Sequence, residues 1–167
     1  PQGALISWAL MMEGAVQINA QGVRFHDETQ GYSEAAVHVL AQPGSTAWNV
    51  FDDRLLAFAQ DFPDFCEAQA AGAVDSFADV AALAQHIGCS ADTLRHTLDA
   101  VHEGQDPVTG RHFKRSLEAP FHAIRVTGAL FHTQGGLDIN AQCQVLRPDG
   151  SALPNLLAAG GAARGVS

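Results

Sequence analysis

Cysteine is scarce in this chain. Cys66, Cys89 and Cys143 lie far apart and are odd in number. They make neither a metal-ligand spacing nor a disulfide framework, and they read as small buried apolar residues. Positive charge is scarce as well: nine Lys and Arg stand against eighteen Asp and Glu, for a net charge of −9, and no basic run occurs. That balance argues against nucleic acid and against an anionic membrane surface as partners. No stretch approaches the roughly 20 apolar residues of a membrane helix. No secretory signal is visible, which says little for a chain expected to be a fragment; cytoplasmic is the expected location. Several motifs are missing too. None of the eight histidines falls in an HExxH spacing, and there is no GxSxG elbow, no GxGxxG and no Walker loop. A metal centre and a serine hydrolase therefore have no support in sequence.

What is present describes a folded protein. Of 167 residues, 47% are hydrophobic and only 16% are charged, which suits a packed core and makes disorder implausible. The length fits one ordinary domain, or one domain plus part of another. The chain begins at Pro1 rather than Met and ends just after a strand enters a glycine turn, so we expect a fragment of a longer protein.

The pattern predicts a hairpin over Ala15–Phe25, with Gly22 at the turn. A helix follows, capped at Ser33, running from Ala35 to Leu40 and stopped by Pro43-Gly44. Trp48–Phe51 reads as a short strand. Ser76 reads as the cap of a helix whose Phe77, Val80, Leu83, Ala84 and Ile87 share a face, with Gly88 closing it. Ser90 then caps a second helix carrying Leu94, Leu98 and Val101. Residues 103–111 read as a polar loop. Beyond Ala119 the pattern turns to strands: Ala123–Val126, then Cys143–Leu146 and Leu156–Ala159 around the turn Arg147-Pro148-Asp149-Gly150. The expected class is α+β, with residues 1–118 as one unit and 119–167 as a β-rich second piece.

Three places carry candidate chemistry. In Leu130–Ile139, His132 and Thr133 precede Gln134-Gly135-Gly136. Tandem glycines weaken a strand, so they mark either a bulge or a point where a ligand nears the backbone. In Leu156–Gly165 an apolar strand meets Gly160-Gly161 and small residues that could begin a helix, whose free N–H groups suit an anion or a polar ring edge. The alternative there is a purely structural turn. Arg24–Ser33 is a dense polar cluster, read most simply as a solvated connection. His38, His86, His96 and His102 read as surface residues of helical segments.

The order of these segments resembles the flavoprotein subunits of the fumarate reductase and succinate dehydrogenase superfamily, above all its single-chain FAD-dependent members. The pieces that carry the resemblance are GVRFHDE, GYSEAAVHVLAQPG, AWNVFDD, the helix pair SFADVAALAQHIGCSADTLRHTL, GQDPVTGR, and HTQGG followed by a strand into AAGG. The resemblance implies that residues 1–118 are the capping domain that closes over substrate. It implies that residues 119–167 are part of the FAD-binding domain, without its N-terminal Rossmann half. It further implies that the parent is an FAD-dependent oxidoreductase acting on a C–C bond beside a carboxylate or carbonyl of a small carboxylic acid. His132 matches the family histidine that binds the substrate. Thr133, Gln134, Gly135 and Gly136 match the segment under the flavin, and Gly160 and Gly161 match the second turn at its edge.

Some positions depart from the family pattern. Tyr32 stands where fumarate reductases carry a proton-donating arginine, Ser7-Trp8 where they carry Thr-Glu, and Gly161 where an acid contacts the cofactor. These departures point away from fumarate, and GYSE and AARGVS lean towards tricarballylate-dehydrogenase-like members. Tyr32, with Glu28, is the expected proton-transfer pair. The isolated chain is expected to be inactive and without FAD, and its β-rich tail is expected to pair with a second copy. The competing expectation is a free-standing α+β binding module that has lost its flavin.

Overall fold

A computed structural model of the chain describes residues 5–102, 104–106, 109–129 and 135–164. The chain forms two compact units, Pro1–Gly128 and Ala129–Ser167.

The first unit mixes helices with a four-stranded antiparallel sheet. Its strands are β1 (Val16–Ile18), β2 (Thr46–Asp52), β3 (Asp75–Phe77) and β6 (Phe121–Thr127), in the order β1-β2-β6-β3. β2 is rich in aromatic and β-branched residues, and all of it after Thr46 is buried, as a central strand covered on both faces requires. Register aligns Gln17 with Asn49, Val50 with Ala123, and Ser76 with His122. The helices are α1 (Ala9–Met12), α2 (Tyr32–Leu40), α3 (Asp53–Ala59), α4 (Pro63–Ala70), α5 (Val80–Ile87) and α6 (Ala91–Asp99). A small hairpin, β4 (Gly104–Gln105) and β5 (His112–Phe113), completes the unit. Phe51, Leu55, Phe65, Leu83 and Leu94 are fully buried between helices and sheet. Each contributes about 1.5–3 kcal/mol of apolar burial.

Local signals decide the helix ends. Ser90 Oγ accepts from the Thr93 amide at 3.3 Å, as expected, and Gly88 closes α5 at φ 84°. Ser76 does not cap α5. Asp79 does, accepting from the Ala82 amide at 2.8 Å, while Ser76 lies on β3. α2 begins at Tyr32, with Gly31 at φ 113° before it, rather than at Ser33. α3 and α4 were not anticipated. Asp52 caps α3 through the Leu55 amide at 3.0 Å, and Pro63 opens α4 at a position where its missing N–H costs nothing.

The expected Ala15–Phe25 hairpin is half present. Its turn forms, with Asn19 N–H donating to Val23 C=O at 3.0 Å and Gly22 at φ 80°. Its second arm is not a strand, because β1 pairs with β2 instead. The strand expected to open the second piece, β6, hydrogen-bonds to β2 and β3, and the first compact unit continues to Gly128. Cysteine burial is also corrected. Cys66 and Cys143 are exposed and Cys89 is half-buried, since the first lies on the outer side of α4 and Cys143 occupies a turn at φ 61°.

The second unit is built on the hairpin β7 (Gln144–Leu146) and β8 (Ala152–Leu157). Its connection is the expected turn: Gly150 N–H donates to Arg147 C=O at 2.9 Å, and Asp149 Oδ1 accepts from the Ser151 amide at 2.9 Å. β8 starts at Ala152, earlier than the expected Leu156, and leaves Leu156 and Leu157 exposed.

Candidate functional site

The two glycine pairs come together in the second unit. Leu137 and Ala163 form a parallel bridge. The Leu137 N–H donates to Ala162 C=O at 3.0 Å, and the Arg164 N–H donates to Leu137 C=O at 2.9 Å. The bridge sets Gly136 against the chain just after Gly160-Gly161. A Cβ built on Gly136 would stand 2.5 Å from the Ala163 carbonyl carbon and 2.7 Å from the Arg164 nitrogen, so only glycine fits. Gly135, Gly160 and Gly161 differ: a Cβ on any of them would meet nothing within 4 Å. One glycine therefore joins two turns, and three present bare backbone to open space. Such a surface suits a flat ring lying against main chain. The sequence treats the two turns as separate candidates, and the fold makes them one. His132, Thr133 and Gln134 lie outside the described residues.

The polar cluster of the first unit is not a solvated connection. Glu28 is 0% exposed and accepts four hydrogen bonds. They come from the Gln17 amide at 3.0 Å, Arg24 Nε at 2.9 Å, Arg24 Nη2 at 2.7 Å and Arg111 Nη1 at 2.8 Å. Arg24 Nη1 also reaches Asp106 at 2.8 Å, and Arg111 donates to the backbone carbonyls of Met11 and Ala15. Both guanidinium groups lie over the Phe113 ring, at 4.9 and 4.3 Å from its centre. Burial alone would push the Glu28 carboxyl up. The hydrogen bonds and charge of Arg24, the charge of Arg111 and the Gln17 amide outweigh it and hold the carboxyl below its ordinary value of 4.5. The surroundings of Glu28 thus favour its anionic form.

His26, also buried, extends this network: its Nε2 meets Gln17 Oε1 at 2.7 Å, and Gln17 Nε2 donates to Asn49 at 2.9 Å. Burial holds the His26 imidazole below its ordinary value of 6.5. His38 is half-buried rather than a surface residue, stacked on His26 at 5.0 Å. A hollow of ≈ 390 Å³ opens beside His26, Asp27, His38 and Thr109. Tyr32 lies at the start of α2 and is 47% exposed. Of the expected proton-transfer pair, one member is half-exposed and the other is sealed in an ion cluster. Sequence reasoning did not find Arg111 or Asp106 as partners of Arg24 and Glu28; their contacts span 82 and 83 residues and leave no periodic signal.

The family model described as the FAD binding domain matches residues 1–167, and the chain belongs to that family. FAD is the cofactor of the parent family. Among curated relatives, the NADH:fumarate oxidoreductase of Klebsiella pneumoniae (strain 342) is 29% identical over 97% of this chain and 18% of its own length. The fumarate reductase (cytochrome) of Shewanella frigidimarina is 28% identical over 98% of this chain and 29% of its own length. Among solved structures, the open conformation of a flavocytochrome c3 fumarate reductase superposes with a TM-score of 0.71 at 29% identity. That match covers 95% of this chain and 29% of that one. The chain thus spans between 18% and 29% of the length of these relatives. Among the described residues, no helix is long and apolar enough to cross a membrane.

Proposed function

We propose that this chain is part of an FAD-dependent oxidoreductase that oxidises or reduces a C–C bond beside a carboxylate or carbonyl, with the first unit as its capping domain and the second as part of its flavin domain. The observation that carries this reading is the junction of Gly135-Gly136 with Gly160-Gly161, which leaves bare backbone where a ring can lie. Relatives named for fumarate and acrylate chemistry support the reaction class.

The residues present fit the cofactor at one edge. Gly135, Gly160 and Gly161 would hold the ring face, and Thr133 and Gln134 are assigned to the cofactor by the family resemblance alone. When bound, FAD supplies hydride exchange with carbon. His132 binds the carboxylate or carbonyl of the substrate and polarises the adjacent bond. Tyr32 gives or takes the other proton at its phenol oxygen. Glu28 does not share that task in this reading. A carboxylate with four donors and no water access lacks the free lone pair and the near-neutral pKa that proton transfer needs. It fixes Arg24 and Arg111 instead.

The reading is tested by purifying the complete gene product with FAD. Turnover is then measured with a reduced dye, or with an oxidising one, on dicarboxylates, tricarboxylates, acrylate and 3-ketosteroids. Turnover on one of these carboxylate or carbonyl substrates is the expected result, with tricarboxylates favoured. A complete gene product that binds no flavin would instead make this chain a binding module on an inherited fold. For the isolated 167-residue chain, the expectation is weak FAD binding and no turnover.

A further inference from the structure

Three side chains outside the sites above meet at the edge of the first unit's sheet. Ser76 on β3 lies directly across from His122 on β6. Ser76 Oγ is 2.8 Å from His122 Nδ1, and His122 Nε2 is 2.7 Å from Asp53 Oδ1. Asp53 is the first residue of α3. An ionised carboxylate can only accept a hydrogen bond, which assigns the imidazole proton to Nε2. Nδ1 then presents its lone pair to the Ser76 hydroxyl. The hydroxyl thus donates to a base whose other nitrogen is oriented by an acid, the role pattern of an activated serine. The two ring nitrogens are exchanged relative to the serine proteases, which leaves the roles intact.

Burial supports the same division of labour. The His122 side chain is 5% exposed and packs 5.6 Å from the Phe51 ring, so the base is desolvated and fixed. Ser76 is exposed on an edge strand, so the hydroxyl can be reached from solvent. The sequence offers no nucleophile elbow because these residues come from three separate elements, 46 and 69 positions apart.

We propose that Ser76 is a base-activated nucleophile that accepts acyl groups from small activated esters, with His122 as general base and Asp53 as positioning residue. This activity is independent of flavin. Ser76 Oγ bonds to the ester carbonyl carbon while its proton moves to His122 Nδ1. The C–O bond to the leaving phenol or alcohol breaks, and that oxygen takes the proton from Nδ1. Water then attacks the acyl carbon, gives its proton to Nδ1, and releases the carboxylic acid as Ser76 Oγ regains a proton. A hydroxyl on an exposed edge strand suits donors with a good leaving group, such as phenyl esters.

The same contacts could merely tie α3 to β3, and the experiment separates the two. The 167-residue chain is incubated with a fluorophosphonate probe, and the adduct is located by peptide mass spectrometry. In parallel, p-nitrophenyl acetate hydrolysis is followed. The expected result is one adduct, on Ser76, absent in Ser76→Ala and formed about a hundredfold more slowly in His122→Gln. Each variant's circular dichroism is checked first. If His122→Gln does not fold, Asp53→Asn carries the comparison, since Asp53 is 66% exposed and its amide would disturb the tautomer rather than the packing. A slowed adduct in Asp53→Asn supports the proposal. No adduct on Ser76, or an adduct whose rate is unchanged in the folded His122 or Asp53 variant, overturns it and leaves a structural tie.

Discussion

Replacing Glu28 by Gln probes the buried ion cluster directly. In the native chain, two carboxylates, Glu28 and Asp106, balance two guanidinium groups, Arg24 and Arg111. Gln at 28 keeps one acceptor oxygen but turns the other position into an NH₂ that faces arginine donors. One positive charge is then left uncompensated at a site with no exposure. Breaking a buried ion pair from one side costs about 3–5 kcal/mol. At about 2–4 °C per kcal/mol for a chain of this size, the melting temperature should fall by about 6–20 °C. Urea unfolding followed by circular dichroism reads the free energy, and an unchanged m-value would show that only stability moved. The pH dependence has a fixed sign. Because the folded carboxyl titrates below 4.5, its contribution is present above that pH and is lost as pH falls through the lower, folded value. That acid limb should shrink in Glu28→Gln. A loss below about 1 kcal/mol would refute the reasoning, because it would mean that Glu28 is solvated or shares its proton freely.

Three other outcomes are expected. Burial keeps the His26 imidazole neutral and below its ordinary 6.5, so stability is full above pH 6.5 and declines as pH falls through the lower, folded value; His26→Gln should remove that limb in urea midpoints taken between pH 8 and 5. Gly136→Ala should open the Leu137–Ala163 bridge, since its Cβ would collide with backbone, and hydrogen exchange at the Leu137 and Arg164 amides should accelerate while the first unit keeps its protection. Tyr32→Phe in the complete gene product should lower turnover by about 10²–10⁴-fold with the fold intact; unchanged turnover would remove Tyr32 from proton transfer.

The legible parts of this fold are those whose cause is local. The cap at Ser90, the αL closure at Gly88 and the turn at Arg147–Gly150 each depend on a few adjacent residues, and each forms as the sequence implies. Ser76 misled for the same reason. A serine shortly before an apolar helical run has the look of a cap, but Asp79 stood closer to the helix and Ser76 was taken by strand pairing with β6. The ion cluster was illegible because the contacts between its members span 82 and 83 residues, brought together by the β4–β5 hairpin. In the candidate site, each glycine pair could be picked out from sequence, but their union through Leu137 and Ala163 is a tertiary contact with no local signal. The different duties of Gly136 and Gly161, one filled by neighbouring backbone and one open, depend on that contact alone.

The central claim, that the open glycine face lies against a flavin, is tested most directly by flavin content. The complete gene product and its Gly161→Val variant are purified side by side, and bound FAD per polypeptide is read from absorbance after each is saturated with FAD and desalted. Gly161 has ordinary backbone angles and open space at its Cβ position, so the variant should fold normally. The account predicts nearly full flavin in the parent protein and a strong loss in the variant, with circular dichroism unchanged. Equal flavin in both would contradict it.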